Sequence, residues 1–255
     1  MIAITLGAMF DFQSKLIFPT HAVAHAGPLP QGAERLSVRA SDEAKLSGVF
    51  VPADNLAPSK RLILGFGGNA WNGQDVAEYL HELFPDEQVV TFHYRGYAPS
   101  TGEPSADAII ADAPLVYDAA VERVKPERIV AVGFSIGSGV AATLAKSRHL
   151  DGLILVTPFD SLKSVATSMY PWLPIGPIFA HEIDAVAALD GTDVPVAIVA
   201  AAHDEIVPAD RTVALREQAK HVVYDHIVAN SGHNDIYARS DFQDAMREAL
   251  AAVSD

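Results

Sequence analysis

The chain has 255 residues, 49% apolar and 20% charged, the balance of an ordinary globular protein large enough to bury a core without staples. Its 18 Lys plus Arg face 32 Asp plus Glu, a net charge of −14, which argues against nucleic acid as a partner and against docking on anionic lipid by charge. Cysteine is absent, so disulfides, thiolate nucleophiles and Cys-based zinc sites are excluded.

In chain order, Met1–Phe10 is an apolar run interrupted by Asp11, half of what a bilayer-spanning helix needs. It lacks the basic start and cleavage site of a signal peptide. No integral membrane span is expected, and the cytoplasm is the default compartment. The run reads either as an element packed on the domain or as the tail of an anchor that begins upstream, which would give peripheral membrane association.

Residues 34–40 and 45–51 predict two strands, an antiparallel pair around Ser41–Ala44. Six β-branched apolar runs follow: Arg61–Phe66, Gln88–Tyr94, Arg128–Phe134, Gly152–Thr157, Val194–Ala201 and His221–Ala229. They alternate with helical patterns at Asp75–Phe84, Ala113–Val124, Ile136–Ser147, Asp210–Ala219 and Asp235–Val253. This rhythm predicts one α/β domain over residues 1–255, with a mostly parallel sheet covered by helices on both faces. Asp112 and Pro114 read as the start of the second helix. Residues 158–193 break the rhythm with Pro158, Pro171, Pro174 and Pro177 among Met169, Tyr170, Trp172, Ile178 and Phe179, and read as a short lid or a packed irregular loop.

The strongest chemical signal is Gly133-Phe134-Ser135-Ile136-Gly137, between a strand and a helix. Chance supplies G-x-S-x-G about 0.07 times in a chain of this composition, and the context fits a nucleophile elbow. A serine needs a base. Of His149, His181, His203, His221, His226 and His233, the last lies in a loop after the final strand, at the sheet edge where Ser135 projects. Asp204, past the preceding strand, is the first candidate to orient it, with Asp160 and Glu205 behind. The order Ser, Asp, His is that of α/β-hydrolases. The loop Gly67–Gly73 contains no G-x-G-x-x-G, and its Asn69 N–H with that of Ile136 would form an oxyanion hole.

Together these residues resemble the α/β-hydrolase superfamily. Within it, the chain is similar to the small, nearly capless branch that holds the abhydrolase-domain protein depalmitoylases and many unassigned bacterial hydrolases. Gly68-Asn69-Ala70 resembles its His-Gly-Asn-Ala loop, Tyr94-Arg95-Gly96-Tyr97 its Tyr-Arg-Gly-Tyr loop, and Thr157–Leu162 its Ser-Pro-Phe-x-Ser-Leu segment. Gln13–Thr20 resembles the entry into the domain, Phe50–Ala53 the end of the second strand, and Asp204–Pro208 and Gly232–Asp235 the acid and base motifs. Gly67 stands where the branch carries His, His93 where many relatives carry Asp or Asn, and the N-terminal cysteines of the animal depalmitoylases are missing.

The resemblance implies an α/β-hydrolase fold and a serine hydrolase with Ser135, His233 and Asp204 as its triad. It implies a small-molecule ester or thioester substrate and no metal or organic cofactor. Trp71, Tyr170, Trp172 and Phe179 are expected to line an apolar pocket. Arg95 is expected in a buried ion pair. A serine aminopeptidase-type peptidase and a non-catalytic hydrolase-fold binding protein are the alternative readings.

Overall fold

Strands that are apolar at every position need cover on both faces. The computed structural model describes residues 2–55, 60–172 and 176–254. Helix α1 (Ile2–Ile17) precedes strands β1 (Glu34–Arg39), β2 (Lys45–Val51) and β3 (Arg61–Phe66). Then come α2 (Gly73–Leu83), β4 (Gln88–Phe92), α3 (Ala106–Val124), β5 (Arg128–Phe134), α4 (Ile136–Ala145) and β6 (Gly152–Val156). Helices α5 (Leu162–Met169) and α6 (Ala185–Leu189) lead to β7 (Val196–Ala201), α7 (Ala209–Gln218), β8 (Val222–Val228) and α8 (Ser240–Ala252).

The described strands form one sheet in the order β1-β2-β4-β3-β5-β6-β7-β8. β2 is antiparallel to β1 and β4, and all other neighbours are parallel. Alternate side chains divide the core. Leu62, Leu64, Leu153 and Leu155 pack with α3, α4 and α6, while Ile63, Ile154 and Val156 pack with α2 and α8. From β3 the chain steps first to β4 on one side and then to β5 on the other. That reversal opens a crevice at the carboxyl ends of β3 and β5.

Three expectations need correction. Helix α3 begins at Ala106, seven residues before the expected start, where the Ser105 hydroxyl accepts the Ala108 N–H at 3.2 Å. Pro114 lies inside it, and Asp112 turns inward to accept two hydrogen bonds from Arg95, at 2.7 Å from Nε and 2.5 Å from Nη2. The expected ion pair of Arg95 is thus present, with Asp42 as a second partner at 2.7 Å. The last helix starts at Ser240 after a separate 3-10 turn, Ile236–Ala238, and not at Asp235. Strand β4 stops at Phe92 rather than Tyr94, because the Tyr94–Thr101 segment folds into turns.

Ile2–Phe10 of the N-terminal run form part of the sixteen-residue α1, Met1 lies outside the described residues, and no helix among the described residues is long and apolar enough to cross a membrane. Phe18 at its end is buried in the core. Residues 158–193 hold α5, a 3-10 turn Gly176–Ile178 and α6, with Pro174 outside the described residues. Helix α1 is tied to this segment. Gln13 donates to the Ile178 carbonyl at 2.8 Å and accepts from the Ala180 N–H at 3.0 Å.

Backbone packs against backbone where α4 passes the end of β3. A Cβ on Gly137 would overlap the Phe66 carbonyl oxygen and stand 2.6 Å from that of Gly67. Gly137→Ala should therefore cost about 3 kcal/mol or more, since backbone cannot yield as a side chain can. Urea unfolding of the variant against wild type measures it, and an unchanged midpoint would contradict this packing.

Candidate active site

Each polar group of the site sits one to five residues past a strand end, so the sheet sets their spacing. Ser135 follows β5 directly, with φ 51° and ψ −117°. This backbone region is costly for a residue with a Cβ, at about 1–3 kcal/mol. Three bonds hold it there. The Ser135 N–H donates to the Val156 carbonyl at 2.9 Å, and its own carbonyl accepts the Ser138 N–H at 2.8 Å and hydroxyl at 2.6 Å. A Cβ at Gly133 would overlap the Gly137 carbonyl oxygen, so the turn needs glycine on both sides.

His233 lies five residues past β8. Its Nε2 is 2.9 Å from Ser135 Oγ, and its Nδ1 is 2.9 and 2.8 Å from the two Asp204 carboxylate oxygens. Asp204 also accepts the N–H groups of Ile206 at 2.9 Å and Val207 at 2.7 Å, which fixes its carboxylate. The side chains of His233 and Asp204 are both buried. An Nδ1 that donates to a carboxylate leaves Nε2 as the acceptor facing the serine hydroxyl.

The structure brings none of the other candidates to Ser135. Asp160 pairs with Arg211 at 3.1 Å. Glu205 instead accepts the His233 backbone N–H at 3.0 Å, a supporting contact that its position beside Asp204 did not announce. Asp235 likewise caps the His233 loop, accepting the Gly232 N–H at 2.6 Å. His181 is buried between Phe10 and Phe18 and lies 2.8 Å from the Ser14 hydroxyl. His221 meets the Asp193 carbonyl, His226 stacks on Tyr224, and His149 lies beside Asp151.

Ile136 opens α4, where helix N–H groups point toward the serine end. Asn69 lies in the exposed part of the β3–α2 loop, and a Cβ at Gly68 would stand 3.9 Å from Ser135 Cβ. Trp71 is half-buried, with its ring 5.3–5.4 Å from those of Tyr79, Phe134 and Tyr237. Tyr170 and Trp172 meet edge-on at 6.4 Å on the surface, Trp172 being 75% exposed, and Phe179 is half-buried.

A sequence model of the alpha/beta hydrolase fold matches residues 62–190. An uncharacterized protein of Mycobacterium tuberculosis is 32% identical over 223 residues, covering 82% of this chain and 78% of its own. The lysophosphatidylserine lipase ABHD12 of Danio rerio is 32% identical over 173 residues, 59% of this chain and 45% of that protein. Among solved structures, the Pyrococcus furiosus esterase Pf2001 superposes with a TM-score of 0.71 at 19% identity, covering 90% of this chain and 94% of the esterase. The chain belongs to the alpha/beta hydrolase family.

The far end of the β3–α2 loop is held by His93. Its Nδ1 accepts the Gly73 N–H at 3.2 Å, a bond that only the neutral ring can make. Burial, with Arg35 nearby, pushes its pKa down to about 4. An unfolded chain protonates this histidine near the usual value of about 6.5, and the folded protein does so only near 4. Stability is therefore present in full above pH ~6.5 and lost as pH falls toward 4. Between pH 6.5 and 5 wild type should lose about 1.6 kcal/mol more than His93→Gln. Urea unfolding at the two pH values checks this, and parallel losses would contradict it.

Proposed function

We propose that the protein is a serine hydrolase that cleaves an ester or thioester of a small or acyl-chain substrate. The observation that carries this reading is the unbroken chain of contacts from Asp204 through His233 to Ser135 Oγ, at 2.8 and 2.9 Å. In this reading residues 1–255 form one hydrolase domain, and 158–193 are its short lid.

The mechanism follows from these contacts. His233 Nε2 takes the Ser135 proton as Oγ attacks the carbonyl carbon. Asp204 keeps the imidazole in the right tautomer and stabilises the imidazolium. The developing oxyanion is met by the N–H groups of Asn69 and Ile136, the latter aided by the α4 dipole. His233 then returns its proton to the departing alcohol or thiol, which leaves an acyl-Ser135. Water, deprotonated by His233, attacks that acyl group and releases the acid and free serine. Tyr170, Trp172 and Phe179, with Trp71, line the approach for the acyl chain.

Hydrolysis of p-nitrophenyl esters of graded length tests this. Ser135→Ala and His233→Ala should lose roughly 10⁴-fold or more in kcat, and Asp204→Asn about 10⁴-fold through the wrong tautomer. Trp172→Ala should shift the chain-length optimum, and an unchanged optimum would remove Trp172 from the acyl path.

A further inference from the structure

Gly67 and Gly68 impose few limits on the backbone that carries Asn69. An oxyanion donor on such a loop works only if something else fixes it, since preorganisation gives such donors their effect. Three successive carbonyls in this loop are held. The Tyr94 hydroxyl donates to the Gly67 carbonyl at 2.9 Å. The Trp71 N–H donates to that of Gly68 at 3.3 Å. The Tyr97 hydroxyl donates to that of Asn69.

The Gly68 carbonyl shares its peptide plane with the Asn69 N–H, and in a trans peptide the two point opposite ways. Turning that carbonyl to Trp71 directs the Asn69 N–H away from the turn. The two tyrosines hold the peptide planes on either side, so the donor plane is fixed through both of its links.

Resting on the hydrolase reading above, we propose that Tyr94 and Tyr97 are positioning residues that hold the oxyanion loop where a polar side chain at position 67 is lacking. Their own segment is anchored to the scaffold. Arg95 between them pairs with Asp112 of α3 and with Asp42. The Ser100 hydroxyl donates to the His93 carbonyl at 2.8 Å, and the Tyr97 N–H to the Tyr94 carbonyl at 2.9 Å. The two rings meet edge-on at 5.7 Å, and Tyr97 is fully buried. Burial raises the pKa of both phenols, so each remains a proton donor across the working range.

A buried tyrosine takes a hydrogen-bond partner wherever it lies, so the test must separate positioning from packing. Tyr94→Phe, Tyr97→Phe and the double variant are compared with wild type on a p-nitrophenyl ester. Tyr117→Phe serves as a control, because Tyr117 donates to the His149 carbonyl at the far end of α4. Each single variant should lose roughly fivefold to tenfold in kcat, the size of one hydrogen bond, with KM unchanged. The double variant should lose more than either, Tyr117→Phe should match wild type, and amide exchange at residues 67–70 should quicken in the order of the kcat losses. A folded double variant with wild-type kcat and exchange would overturn the proposal, as would a loss carried by KM. Wild type that hydrolyses no ester would instead overturn the hydrolase reading beneath it.

Discussion

The contact on which the site depends is backbone against backbone, where Gly137 in the first turn of α4 lies under the carbonyls of Phe66 and Gly67 at the end of β3. It leaves no room for a Cβ, and it sets how far the turn after β5 stands from the loop after β3. Ser135 is held in an unfavourable backbone region by bonds to β6 and to Ser138, so its Oγ projects from the sheet edge. The strand before that turn is paired on both sides, with β3 and with β6. The same closeness would put a Cβ on Gly68 within van der Waals contact of the Ser135 Cβ.

The histidine side is built differently, from loops rather than a tight elbow. β7 and β8 end side by side, so the loops carrying Asp204 and His233 are neighbours before any side chain is considered. The His203 N–H donates to the Ser231 carbonyl and joins the two loops at 2.8 Å. Glu205 and Asp235 then occupy backbone donors around His233, leaving its ring to be oriented by Asp204. A histidine on a surface loop would otherwise sample many rotamers, and these bonds limit it to one that faces Ser135.

Much of this was legible in the sequence because it lies in patterns of fixed period. The parallel strands are apolar at nearly every position, and G-x-S-x-G between a strand and a helix is rare enough to locate Ser135. His233 and Asp204 followed from where the last strands end. The errors fall where a local cue competes with tertiary contacts. Asp112 and Pro114 look like a helix start, yet Asp112 is drawn inward by Arg95, and Ser105 caps the helix earlier. Glu205 supporting His233, and Gln13 tying α1 to residues 178–180, pair groups 28 and about 165 positions apart, and no periodicity reports such contacts. Gly67 marks a loop position without a side chain, but no sequence pattern names the tyrosines whose hydroxyls hold the loop.

The proposed chemistry requires Ser135 to be an activated nucleophile. Intact mass after reaction with a fluorophosphonate, on wild type and on Ser135→Ala, tests that most directly. One adduct on wild type, mapped to Ser135 and absent from the variant, is the predicted result. Folded wild-type protein that takes no adduct, or a variant labelled as readily as wild type, would contradict it.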